Sequence, residues 1–178
     1  ADFLLASAIE LSPDHIHARS QYLNLLVRLG KFKLAAKQVD KLLREQPSNL
    51  SFKIAKANVL TGVGDIEGAI TLFEEVIDQD NSVAGFHLQL GHALKAKGDF
   101  DNAIKSYQQA YLVKPNYGDA FWSLANTKTY RFNDDEIEQM CFHQDDPELA
   151  ITDKVQLFFA TGKAYEDRGE YDKSFASY

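Results

Sequence analysis

Gly30, Gly64 and Gly98 stand 34 residues apart, and most of the chain keeps step with them. Ala35, Ala69 and Ala103 repeat the spacing five residues later; Pro13, Pro47 and Pro115 hold it too, with Asn81 in the vacant slot. A strict period of this length belongs to a solenoid of stacked helix pairs, because one helix–turn–helix unit cannot bury its apolar face alone. Such a fold acts through an extended surface, so the expected function is binding.

The period has a local cause. His87, Leu90, Gly91 and Leu94 step by three and four and share one helical face. Gly98 follows a lysine-rich last turn, where a helix stop needs positive φ. Phe100, Ala103, Ile104, Tyr107 and Ala110 give the apolar face of a second helix, which Pro115 ends. Gly91 and Ala103 are small enough for the two helices to approach closely. Phe100 and Tyr107 are expected to fill the space around that contact.

These residues resemble the tetratricopeptide repeat (TPR), whose pattern has a small residue at the eighth position, then Gly, an aromatic, Ala, an aromatic, Ala and Pro. Residues 84–117 fit well. In 16–49, Gly30, Phe32, Ala35 and Pro47 match, with Val39 and Leu42 for the usual aromatic and alanine. In 50–83, Ala57, Gly64, Ala69 and Phe73 match, with Lys56 where leucine is usual. Residues 1–15 read as the end of an earlier repeat, with Ala8 and Pro13 in phase. Residues 118–154 form an enlarged, irregular repeat. Residues 155–178 restart the pattern with Phe158, Gly162, Tyr165, Gly169 and Tyr171 and stop inside a second helix. The resemblance implies an all-α, right-handed superhelical solenoid of antiparallel helix pairs, about five repeats with incomplete ends.

Composition narrows the partners. The formal net charge of −7 opposes attraction to nucleic acid or to an anionic membrane. No run of 18 apolar residues could span a bilayer. The single cysteine, Cys141, excludes an internal disulfide framework and suits a cytoplasmic location.

The irregular stretch carries a second resemblance. Phe121, Leu124 and Ala125 start a helix in phase, but Tyr130-Arg131-Phe132 turns without the usual glycine. Asn133, with Glu136 three residues on, reads as a capping box. LANTKTYRFNDDEIEQM and FFATGKAYEDRGEYDKSF look like the end of the TPR region in bacterial TPR–sulfotransferase fusion proteins, although Thr161 stands where an apolar residue is expected. That resemblance implies a following catalytic domain that uses 3′-phosphoadenylyl sulfate. The family's Pro-Arg-Ser-Gly-Thr-like phosphosulfate loop is absent, so this chain reads as the non-catalytic, protein-binding part, with no catalytic residue, cofactor or metal of its own. The catalytic domain is then one partner. The alternative is a free-standing TPR adaptor.

Other constellations carry no chemistry. Gly62-Val63-Gly64 follows a helix, not the strand that a nucleotide loop needs. Cys141 and His143, two apart on a helix, do not face each other. His15 and His17 read as capping or surface residues. Asp134, Asp135 and Glu136 suit a helix N-terminus; Asp145, Asp146 and Glu148 suit a solvated loop or a helix start. Lys33, Lys37, Lys41 and Arg44 form a stripe opposite Phe32, Ala35, Val39 and Leu42, either a solvated outer face or a docking face for an acidic partner or for the catalytic domain.

In TPR solenoids the first helix of each pair lines the concave groove. The resemblance places Ser20, Ile54, Leu88, Trp122 and Phe159 at one inward position, and Asn24, Asn58, His92, Asn126 and Lys163 one turn further on. Trp122 and Phe159 either pack against neighbouring structure or anchor a ligand. Asn24, Asn58 and Asn126, with His92 between, either support packing or pair with the backbone of an extended peptide, since an amide both donates and accepts. The candidate groove residues are thus Asn24, Asn58, Leu88, His92, Trp122, Asn126 and Phe159. The cations of the TPR carboxylate clamp are missing, with Ser20, Asn24, Asn58, Gly85 and Gln89 in their places, so terminal carboxylates of chaperone tails are not expected there.

Overall fold

The computed structural model describes residues 2–12 and 14–178, without the side chains of Asp2, Phe3, Ala6, Ala8 and Glu10. Pro13 and the Ala8 side chain, read above as in phase, lie outside the described residues. Every regular element among the described residues is an α-helix. In order these are α1 (Asp2–Leu11), α2 (Ile16–Arg28), α3 (Phe32–Glu45), α4 (Leu50–Val63), α5 (Ile66–Gln79), α6 (Ala84–Lys97), α7 (Phe100–Val113), α8 (Gly118–Ala125), α9 (Asp134–Gln144), α10 (Ile151–Asp167) and α11 (Tyr171–Ser177). They fall into two compact units, residues 1–79 and 80–178. Among the described residues, no helix is long and apolar enough to cross a membrane.

In the first unit each helix packs on the next, from α1 to α5. Leu23, Leu26, Ala35, Val39, Leu42, Phe52 and Val59 make the core, drawn from helices α2, α3 and α4. The spacing of three and four on α3 turns Ala35, Val39 and Leu42 inward and leaves Lys33, Lys37, Lys41 and Arg44 exposed. Lys56, which departs from the repeat pattern, reaches back from α4 to α3 and pairs with Asp40 at 2.6 Å. His15 caps α2, its Nδ1 accepting from Ala18 N at 3.2 Å. Asn49 caps α4 through Phe52 N.

In the second unit α6 and α7 form the most regular pair. Gly98 ends α6 at φ 91°, a left-handed conformation that glycine adopts without a Cβ penalty. The Tyr107 ring lies over Gly91, so the small-residue contact forms with a buried aromatic beside it. Phe100 does not share that role. It is 47% exposed, at the first residue of α7.

The irregular stretch is rebuilt around different contacts. α8 is only 8 residues long and packs on α7 and α10, not principally on α9. At its start the Gly118 backbone lies against that of Asp153, and Gly118 N donates to Asp153 Oδ1 at 3.0 Å. α10 begins at Ile151, ahead of residue 155, and its added first turn makes this contact. Asn133 and Glu136 form the capping box: Asn133 Oδ1 accepts from Glu136 N at 2.9 Å, and Glu136 Oε2 accepts from Asn133 N at 3.0 Å. The other Glu136 oxygen accepts from the hydroxyls of Tyr111, at 2.8 Å, and Tyr130. Thus the glycine-less turn is held by a buried carboxylate bridging α7, the turn and α9. Phe121 stacks on Tyr111, centroids 4.7 Å apart, and Phe132 closes edge-on against Tyr130 at 5.1 Å. Thr161 is buried without penalty. It donates to Leu157 O at 2.9 Å and accepts from Gln144 Nε2 at 2.7 Å.

Candidate functional site

The sequence-derived groove residues divide between the units. Asn24 on α2 is exposed and Asn58 on α4 is half-buried, both in the first unit. The others lie in the second unit, Leu88 and His92 on α6, Trp122 on α8, Asn126 at the C-cap of α8 and Phe159 on α10. Leu88 departs from its expected role. It is 3% exposed, so its side chain belongs to the core and offers no surface to a ligand. The inward repeat position is half-buried at Ser20 and Ile54, closed at Leu88 on α6 and most open at the two aromatics further along the chain.

It opens at Trp122 and Phe159. Trp122, on short α8, is 37% exposed, and Phe159, on α10, is 43% exposed. Their centroids are 5.7 Å apart, and Tyr178 continues the array with its ring 5.6 Å from Phe159. The close α8–α10 packing sets this spacing, so an open aromatic pair stands on two adjacent helices. Tyr178 also covers Gly162, where only a hydrogen leaves room for its ring. Nothing in the periodicity marked Tyr178 as part of this array, since it lies beyond α11 and reaches back through tertiary structure.

Polar groups border the pair. His92 Nδ1 is 3.0 Å from Tyr107 Oη, and the rings meet edge-on at 5.4 Å. Packing around the imidazole holds its pKa below the usual value, with the Asp119 carboxylate pulling it up and Lys95 pushing it down. His92 is therefore a neutral hydrogen-bonding group near pH 7. Asn126 donates Nδ2 to Trp122 O at 2.9 Å, on its own helix, and its backbone carbonyl accepts from Lys95 Nζ at 3.1 Å. One of the amide donors of the expected ladder is thus committed to closing α8. Asp119 accepts from Gln156 across the α8–α10 contact.

The Cys141 thiol lies 3.9 Å from Tyr165 Oη, and among the described residues no three His, Cys, Asp or Glu side chains converge. What the second unit presents is two open aromatics with an amide beside them and an imidazole and lysines on the same run of helices.

Comparison with known proteins identifies the repeats in the regular part of the chain. Residues 23–84 match the tetratricopeptide repeat model and residues 91–128 match a second TPR repeat model. The regular helix pairs are tetratricopeptide repeats. The fold is similar to that of TTC0263, a thermophilic TPR protein of Thermus thermophilus, at 17% identity and a TM-score of 0.69, covering 89% of this chain and 87% of that one. It is also similar to yeast Tom70, at 16% identity and a TM-score of 0.72, over 97% of this chain but 37% of Tom70. MamA from Desulfovibrio magneticus RS-1 matches at 18% identity and a TM-score of 0.58, over 64% of each chain. No curated protein sequence matches.

Proposed function

We propose that the chain is a TPR scaffold that binds a protein partner, and that the face carrying Trp122 and Phe159 holds an extended polypeptide. TPR proteins bind protein partners, and the observation that supports a binding face here is the open aromatic pair. Exposed, closely set aromatics supply large contact area at small entropic cost and are frequent anchors of interfaces. His92 and Asn126 border the anchor with hydrogen-bonding groups, and Asn24 and Asn58 offer amides in the first unit. Leu88 contributes packing only.

A narrower reading rests on the resemblance of residues 124–140 and 158–175 to TPR–sulfotransferases. The chain is then the non-catalytic region of a bacterial, cytoplasmic sulfotransferase that uses 3′-phosphoadenylyl sulfate, and its own catalytic domain is a second partner. A free-standing adaptor is at least as consistent with the fold and the comparisons. The readings separate in one experiment. Sulfate transfer from the donor by the protein encoded by the complete gene, reduced in kcat/KM by Trp122→Ala, supports the enzyme reading. No transfer, together with loss of partner capture in the same variant, supports the adaptor. Partner binding and transfer that are both unchanged by Trp122→Ala, in a folded protein, sink the aromatic face as the binding site.

A further inference from the structure

The irregular unit departs most from its neighbours at the end of α8. α8 has 8 residues, whereas α4 and α6 have 14 each. Asn126 donates to Trp122 O and Thr127 Oγ1 donates to Ser123 O, each at 2.9 Å. These side chains engage the last carbonyls of the helix, and the chain turns away. A helix as long as α6, begun at Gly118, would run on through Arg131 and fill the space beyond. Here that space is a hollow of about 400 Å³ lined by Ala125, Asn126, Lys128, Arg131, Lys163 and Asp167.

Its charge opposes that of the molecule. Three cations line it against one carboxylate, in a chain of formal net charge −7. That carboxylate is already held, with Lys163 Nζ at 2.6 Å and Arg131 Nη1 at 3.5 Å from Asp167. Asp167 therefore orients two cations without cancelling the lining. A second carboxylate, Glu166, lies 3.5 Å from Lys163, and Asp134 pairs with Arg168 at 2.6 Å, so the three cations meet two carboxylates and the balance stays positive. Lys95 adds positive charge at the rim, where it donates to Asn126 O. Arg131 Nη1 donates to Lys128 O at 2.9 Å and Tyr130 O at 2.7 Å, which fixes the guanidinium with its other N–H groups still to offer. An incoming carboxylate meets those groups and Lys128 in a recess, and charge-assisted bonds of this kind are stronger than neutral ones.

The aromatic pair lies one helical turn away. Phe159 precedes Lys163 by four residues on α10, and Trp122 precedes the α8 C-cap Asn126 by four, so each aromatic and its polar neighbour lie one turn apart on the same side. One turn is about 5.4 Å, close to the roughly 6.6 Å between alternate side chains of an extended strand. We propose that this face docks an extended segment in which an Asp or Glu side chain stands two residues from a large apolar one. The carboxylate enters the hollow against Lys128, Arg131 and Lys163, and the apolar side chain lies on Trp122 and Phe159. The assignment rests on the protein-binding function proposed above and specifies the partner's chemistry.

Trp122 is the only tryptophan, so its emission reports the occupied face. The intact chain is titrated with a terminally blocked, tryptophan-free peptide carrying Glu-Ser-Phe, and with the same peptide carrying Gln-Ser-Phe. The Glu peptide is expected to bind at least tenfold more tightly, with the preference shrinking as salt rises. Lys128→Glu, at an exposed position, is expected to remove the preference with an unchanged circular dichroism spectrum. Equal affinity for the two peptides overturns the acid-binding hollow and leaves the aromatic face standing. No binding of either by the folded chain overturns both. A preference that requires a free C-terminus overturns the side-chain assignment.

Discussion

At the residue scale the second unit buries polar atoms in its core and satisfies them there. Tyr107 is an instance. It is fully buried between Gly91 and its own helix, yet its hydroxyl finds His92, so close helix packing and hydrogen-bond satisfaction coincide in one side chain. Burial pushes its pKa up to about 12 from the usual 10. The folded state thus prefers the neutral phenol. The stability this contributes is fully present below pH 10 and is lost as pH rises through about 12. Burial and the Glu136 carboxylate raise Tyr111 and Tyr130 as well, and burial raises Tyr117. Phenolate absorbance is expected to rise in two stages, the exposed tyrosines first and this group together with alkaline unfolding. Tyr107→Phe should shrink the second stage; a single stage near pH 10 in the folded protein would contradict the burial argument.

At the element scale the short α8 is the decisive departure. Its first residue must be glycine, because a Cβ at Gly118 would fall well inside contact distance of the backbone oxygen of Asp153. Backbone cannot yield as a flexible side chain can, so α8 and α10 would have to separate. Gly118→Ala is expected to destabilise the protein by about 1–3 kcal/mol, the usual cost of overpacking, despite alanine's better helix propensity. It should also move the Trp122 emission, since the Trp122–Phe159 spacing depends on the same contact. A urea midpoint unchanged from wild type would show that the contact gives way without cost. The other end of α8 follows the same logic. Early termination opens the hollow, while the Glu136 network with Tyr111 and Tyr130 supplies the rigidity that a regular glycine turn would have given.

At the scale of the whole molecule, each unit has its own core, and the second ends on an apolar helix with little to cover it. Phe175 is 86% exposed, and Tyr171 and Tyr178 are also open. A terminal repeat with an apolar outer face favours association or fraying. Amide exchange in 170–178 is therefore expected to be much faster than in 84–117 for the monomer, and to slow with rising protein concentration if copies associate there. Equal protection of both segments in a proven monomer would refute this. The helix pairs were legible in the chain because periodic Gly, Ala and Pro act locally: Gly98 stops a helix wherever it stands, and the 3.6-residue period selects the buried face of α3 without reference to neighbours. The capping box at Asn133 and Glu136 was legible for the same reason, as both partners lie within one turn. Which inward positions stay open was not. Leu88 and Trp122 occupy equivalent slots in the repeat, and only the packing of α6 and of the shortened α8 buries one and exposes the other. Neither the hollow beyond Asn126 nor the return of Tyr178 to Phe159 is written in any local pattern. Both arise from contacts between residues far apart in the chain, whose energies depend on how the helices fit together and not on the spacing of residues along any one of them.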